Sequence, residues 1–191
     1  MSRLIDRTSV MRGIMIAASV LIASGRHTSL QAQQPHEAFW SGFAPGGAGS
    51  GGFAEGFGYP FYLRFGGTLN QRVLLGIELY SVIWDIDLCF SFSCSSSPTR
   101  LSSNLTAIAL LYPSPNGGLF MKPGVGISAG SETGAGTTVR FGSTLGVGYD
   151  LRLRENFYLT PNVDVLVLTD PRGPLTDTRL GYFFTLGFTW H

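Results

Sequence analysis

The chain has 191 residues and a net charge of +1, which suits one domain. Only 13% of its residues are charged, against roughly 25% in a typical soluble domain. That composition cannot coat an ordinary water-facing surface, and with no basic run to track phosphates it excludes a nucleic-acid-binding surface as well.

Arg3, Arg7 and Arg12 precede an uncharged run from Gly13 to Gly25. A spanning helix needs about 20 apolar residues, so this shorter run reads as the core of an export signal. Cleavage is expected after Ala32, which gives a signal peptide at 1–32 and a mature domain at 33–191. Processing after Gly25 and an uncleaved anchor are the alternatives. No later stretch is long and apolar enough to form a transmembrane helix.

Beyond that point apolar residues recur at every second position, the period of a β-strand. A first strand is expected at 37–45. The segment 46–57 is glycine-rich, and Gly47 to Gly52 matches the spacing of a dinucleotide-binding fingerprint. That motif has meaning only between a strand and a helix, and no helical period follows, so a loop is expected. In 58–69, Phe61, Leu63 and Phe65 lie opposite Arg64, Gly66 and Thr68. In 73–84, Val73, Leu75, Ile77 and Leu79 lie opposite Gly76, Glu78 and Tyr80.

The loop 85–100 holds Cys89 and Cys94, the only cysteines. In an exported chain this pair reads as a loop disulfide, with two free thiols as the alternative. A zinc site would need further Cys or His ligands, and no metal or cofactor is expected. The segment 101–112 is a strand by composition, so the sequon Asn104-Leu105-Thr106 inside it is discounted. In 119–130, Leu119, Met121, Val125 and Ile127 lie opposite Lys122, Gly124, Gly126 and Ser128. In 138–151, Val139, Phe141, Leu145, Val147 and Tyr149 lie opposite Arg140, Gly142, Thr144, Gly146, Gly148 and Asp150. In 157–169, Leu159, Val163, Val165 and Val167 lie opposite Thr160, Asn162 and Asp164. The last strand, 178–190, has Leu180, Tyr182, Phe184, Leu186, Phe188 and Trp190 on one face and Gly181, Phe183, Thr185, Gly187 and Thr189 on the other.

These eight strands are long enough to cross a hydrophobic band about 25 Å tall at about 40° tilt, which takes roughly ten residues. Short links (70–72, 113–118, 152–156) alternate strictly with longer ones (46–57, 85–100, 131–137, 170–177). Tight turns on one side and long loops on the other are the asymmetry of outer-membrane barrels. The expected fold is therefore all-β, an eight-stranded up-and-down antiparallel transmembrane barrel with both termini at the turn end. Tyr112, Tyr149, Phe157 and Trp190 would mark the periplasmic boundary, and Tyr59, Phe61 and Trp84 the outer one. Pro123 and Pro161 cannot donate a ladder hydrogen bond, so a bulge or local break is expected at each.

The hairpin rhythm, Gly-Val-Gly-Tyr-Asp at 146–150 and the closing Gly-Phe-Thr-Trp resemble the small eight-stranded outer-membrane barrels, the OmpX- and opacity-like proteins. In that family the last strand is the recognition signal for the barrel assembly machinery. The resemblance implies that role for Phe188 and Trp190, although this chain ends in His191 rather than an aromatic.

Arg64, Glu78, Lys122, Arg140, Asp150 and Asp164 are the charges expected to face inward. An eight-stranded lumen is only wide enough for side chains to fill, and buried charges are costly unless paired. A salt-bridged plug is expected, with a narrow ion path as the alternative. No catalytic residues are expected, because His36 and His191 both lie at chain ends on the periplasmic side, away from outer-leaflet lipid. The expected role is structural or surface-interacting, in the outer membrane of a Gram-negative-type cell, as a monomer in contact with lipid. The Cys89–Cys94 loop and the glycine-rich loop 46–57 would make the contacts. The rivals are a soluble periplasmic ligand-binding barrel, with the two faces reversed, and a lipid-modifying enzyme.

Overall fold

In the computed structural model the described residues are 39–51, 57–84, 100–132, 137–169 and 178–191, all within the unit Ala32–His191. The export signal, Cys89 and Cys94 lie outside them. Ten strand segments follow one another: β1 (Phe39–Ala44), β2 (Gly47–Gly51), β3 (Phe57–Asn70), β4 (Val73–Trp84), β5 (Arg100–Leu111), β6 (Leu119–Glu132), β7 (Thr138–Tyr149), β8 (Leu151–Arg154), β9 (Phe157–Thr169) and β10 (Thr178–Trp190). Every pairing is antiparallel, and β10 closes on both β9 and the β1–β2 pair, so the sheet has no free end.

Ten segments make eight staves. β7 and β8 keep one register against β9 as far as Arg152, so Asp150 interrupts a single strand. β1 and β2 are also one stave, but their registers against β3 and β10 differ by one residue. Pro45 and Gly46 therefore form a bulge, where one extra residue relieves a strand that contains a proline. The Tyr59 hydroxyl holds it, donating to the Pro45 carbonyl at 2.8 Å. This corrects the expectation of a loop at 46–57. Gly47–Gly51 is a paired strand, so Gly47 and Gly49 of the fingerprint-like run sit in the barrel wall, while 52–56 lie outside the described residues.

Pro123 and Pro161 behave alike. The Asp150 N–H donates to the Gly118 carbonyl, so even-numbered residues of β7 bond β6 and odd-numbered ones face β9. By the same alternation the missing donors of Pro123 and Pro161 point at Ala109 and Tyr149. Those two pairings are absent, yet the register continues unchanged on both sides. At each proline two successive pairs drop out and no residue is added, so there is a break and no bulge.

The side chains sort by parity. Phe141, Val125 and Val163 are 64%, 60% and 57% exposed, while Glu78, Lys122 and Asp164 are fully buried. Leu186 and Ile77 also point outward. A greasy exterior around a charged interior is the reverse of a soluble barrel.

Candidate functional site

The lumen is filled in three layers. At the turn end Trp40, Leu74, Ile108, Leu110, Tyr112 and Phe120 pack together. At the loop end Tyr62, Tyr80, Val82, Trp84, Leu166, Leu168 and Phe183 do so. Charge lies between them. Lys122 Nζ donates to Glu78 Oε1 and Oε2 at 2.8 and 2.7 Å, and Asp164 Oδ1 completes the ion pair at 2.9 Å. Arg64 lies over the rings of Tyr62, Phe120 and Trp40, at 4.9, 5.4 and 5.9 Å from their centroids. In this layer two cations face two carboxylates, so neutrality is local and desolvation is compensated by short charge-assisted contacts.

A hydrogen-bonded chain runs from this layer toward the turn end. Arg64 Nη2 donates to Thr189 Oγ1 at 2.8 Å, and Thr189 and Thr160 share a hydroxyl contact at 2.9 Å. The Thr160 hydroxyl donates to Asp150 Oδ1 at 2.7 Å, and the Tyr112 hydroxyl to Asp150 Oδ2 at 2.7 Å. His191 Nε2 lies 3.6 Å from Asp150 Oδ2, and its ring sits edge-on to Tyr158. The Thr160 and Tyr112 hydroxyls both donate to the Asp150 carboxylate and hold it in place.

Glycines on the inner wall make room for these groups. A Cβ at Gly146 would strike Asp164, one at Gly148 would strike Asn162 and Phe120, and one at Gly49 would overlap the Phe183 ring. The strand glycines thus mark where the lumen is fullest.

Five of the six charges expected inside line the lumen: Arg64, Glu78, Lys122, Asp150 and Asp164. Arg140 does not join them. It is half-buried near the loop end of β7, across from Ser128 and away from the ion layer. Two aromatics assigned to the boundaries are also inside. Tyr112 is buried on Asp150, and Trp84 is buried with its Nε1–H donating to Ser102 at 3.2 Å. Both sit on inner-face positions of their strands, and strict parity would have placed them there. Sequence reading did not identify Tyr62, Thr160 or Thr189 as network members, although they share a face with Arg64, Asp164 or Thr185.

Phe188 and Trp190 lie on the outer wall at the turn end. Phe188 stacks on Phe157 at 5.4 Å and Trp190 on Phe43 at 5.8 Å, which ties β10 to both neighbours.

No family model matches the chain, and no curated protein is similar to it. Solved structures are. The barrel is similar to the crystal structure of Ail, the attachment invasion locus protein of Yersinia pestis, with 13% identity over 83% of this chain and 99% of that one and a TM-score of 0.50. It is also similar to Neisserial surface protein A (NspA), with 12% identity over 83% and 99% and a TM-score of 0.52. At such identities the likeness is one of fold, that of the small eight-stranded outer-membrane barrels.

Proposed function

We propose that this chain, a small eight-stranded barrel of the outer-membrane type, is a closed, non-catalytic component of the outer membrane with a structural or surface-contact role. The observation that carries the reading is the inverted distribution of side chains. Leu63, Phe65, Ile77, Val125, Phe141 and Val163 point outward, and a neutral ion layer is sealed at the centre. A surface of that kind is stable against hydrocarbon and unstable against water.

The lumen acts as a plug. Apolar layers lie on both sides of the charges, and Lys122, Glu78 and Asp164 are held by one another rather than by solvent. Contacts with other molecules then fall to the outer loops, with 85–99 carrying Cys89 and Cys94 as the principal one. Export by the 1–32 signal and recognition of Phe188 and Trp190 by the assembly machinery complete the reading.

Membrane fractionation combined with gel mobility before and after boiling tests it. The protein is expected in the outer-membrane fraction and to migrate differently once heated. Planar-bilayer recordings are expected to show no steady conductance. Recovery in the soluble periplasm with no heat shift overturns the location, and a stable open channel overturns the plug.

A further inference from the structure

The outer wall at the turn end carries a closed circuit of four aromatic rings. Phe157 lies 4.8 Å from Trp190 and 5.4 Å from Phe188, and Phe43 lies 5.8 and 5.6 Å from the same two, centroid to centroid. The rings sit on β9, β10 and β1, joined through the strand pairs Phe157↔Trp190 and Phe188↔Phe43. Together they form a plate held on three staves, on which Trp190 is 41% exposed.

A cation stands at one edge of this plate, and a bulge puts it there. Along β8, Leu151 pairs with Leu159 and Arg152 with the buried Tyr158, so Arg152 has inner-face parity. Strict alternation would send Arg154 the same way. The register instead shifts between Arg152 and Arg154, and Arg154 comes opposite Phe157. Directly paired residues share a face, and the extra residue of a bulge re-aims the side chains beside it. Arg154 is therefore exposed on the outer wall next to Phe157, with Leu153 exposed beside it. Arg152 Nε donates to the Arg154 carbonyl at 3.3 Å and ties the bulge down.

An arginine on the outer wall is costly at the bilayer midplane and nearly free of cost at headgroup level. An exposed indole favours that same level. There the planar guanidinium matches phosphate oxygens two at a time. We infer that this corner binds an anionic phospholipid of the periplasmic leaflet, with the phosphate on Arg154 and the glycerol and first methylenes over Phe157 and Trp190. The inference rests on the barrel lying in a bilayer with its turn end at the periplasmic face.

The test uses the full-length chain refolded into phosphatidylcholine vesicles, after the heat shift has shown that each variant is folded. Trp190 is a built-in reporter, because the other two tryptophans, Trp40 and Trp84, are buried in the lumen. Trp190→Phe gives their residual quenching for subtraction. Phosphatidylglycerol brominated near the glycerol end of its acyl chains is titrated in and compared with phosphatidylcholine brominated in the same way. Quenching is expected at a roughly fivefold lower fraction of the anionic lipid, the scale of one arginine at a lipid surface. Arg154→Gln is expected to abolish that preference, and Glu155→Gln, which removes the exposed carboxylate next in the turn, to raise it. Arg72→Gln removes an exposed arginine on the β3–β4 turn, with β10 and β1 between it and β9, and is expected to leave the preference unchanged. Equal quenching by the two lipids overturns the inference, as does a preference that survives Arg154→Gln. An equal loss in Arg72→Gln overturns it in favour of diffuse surface attraction, and full competition by soluble glycerol phosphate in favour of a free-anion site. Folded barrels whose Trp190 neither lipid quenches have the plate covered by protein, and the inference fails there alone. A chain with no heat shift fails at the reading beneath it.

Discussion

Removing Lys122 is the sharpest test of the lumen. The Lys122→Met change keeps an unbranched side chain, one heavy atom shorter, and deletes the cation that, among the described residues, contacts both Glu78 and Asp164. Among the described residues the layer then holds two carboxylates against Arg64, which donates to Thr189 rather than to either of them. Breaking a buried ion pair from one side typically costs about 3–5 kcal/mol, because a desolvated charge is left behind. Here two are left, so the upper part of that range is expected. The assay is reversible urea unfolding in lipid vesicles, followed by tryptophan fluorescence. The triple change Lys122→Met, Glu78→Gln, Asp164→Asn removes all three charges and is expected to recover most of the loss. A single variant within about 1 kcal/mol of the parent, or a triple variant no better than the single one, refutes the claim that pairing stabilises this layer.

Four further outcomes follow from the same geometry. Gly146→Ala puts a methyl group into Asp164, and about 1–3 kcal/mol of overpacking loss is expected in the same unfolding assay; an unchanged midpoint speaks against a full lumen. Tyr112→Phe removes the 2.7 Å bond to Asp150, and a loss of about 1.5–3 kcal/mol is expected for a bond to a charged group. Pro161→Val restores the donor facing Tyr149 without changing register, so it is expected to be neutral or to stabilise by up to about 1 kcal/mol. Trp84→Phe keeps a ring against Phe183 and removes the bond to Ser102, and a loss of about 1 kcal/mol is expected for that bond, with native-like near-ultraviolet dichroism as the check on packing.

Much of the fold is legible in the chain because a barrel has only two environments. A two-residue period with bulky Leu, Val and Phe on one parity and Gly, Thr and charge on the other fixes which way each strand faces, and β10 alone displays the whole rule. The bulge at Pro45 and Gly46 was not legible. Glycine carries no side chain to reveal parity, so the run 47–51 reads equally as loop or strand until β10 and β3 are there to pair with it. Tyr112 and Trp84 were misplaced for another reason. An amphipathic aromatic near a strand end suits either a lipid boundary or a lumen cap, and only the count along the strand separates them. Arg140 has the parity of a lumen residue, but the departure of β9 at Val167 depends on Ser128 and Ser102, two short polar residues that announce nothing locally.

The Phe183 ring occupies a slot that exists only because Gly49 stands across from it on the neighbouring stave. Slide the closing strand by a single residue and Tyr182 turns inward while Phe183 meets lipid, with no recess to receive the incoming ring. The final seam therefore works as a key and ward. A strand from another molecule that lacks this bump-and-hollow match finds the door shut, so the cylinder favours its own tail over a stranger's.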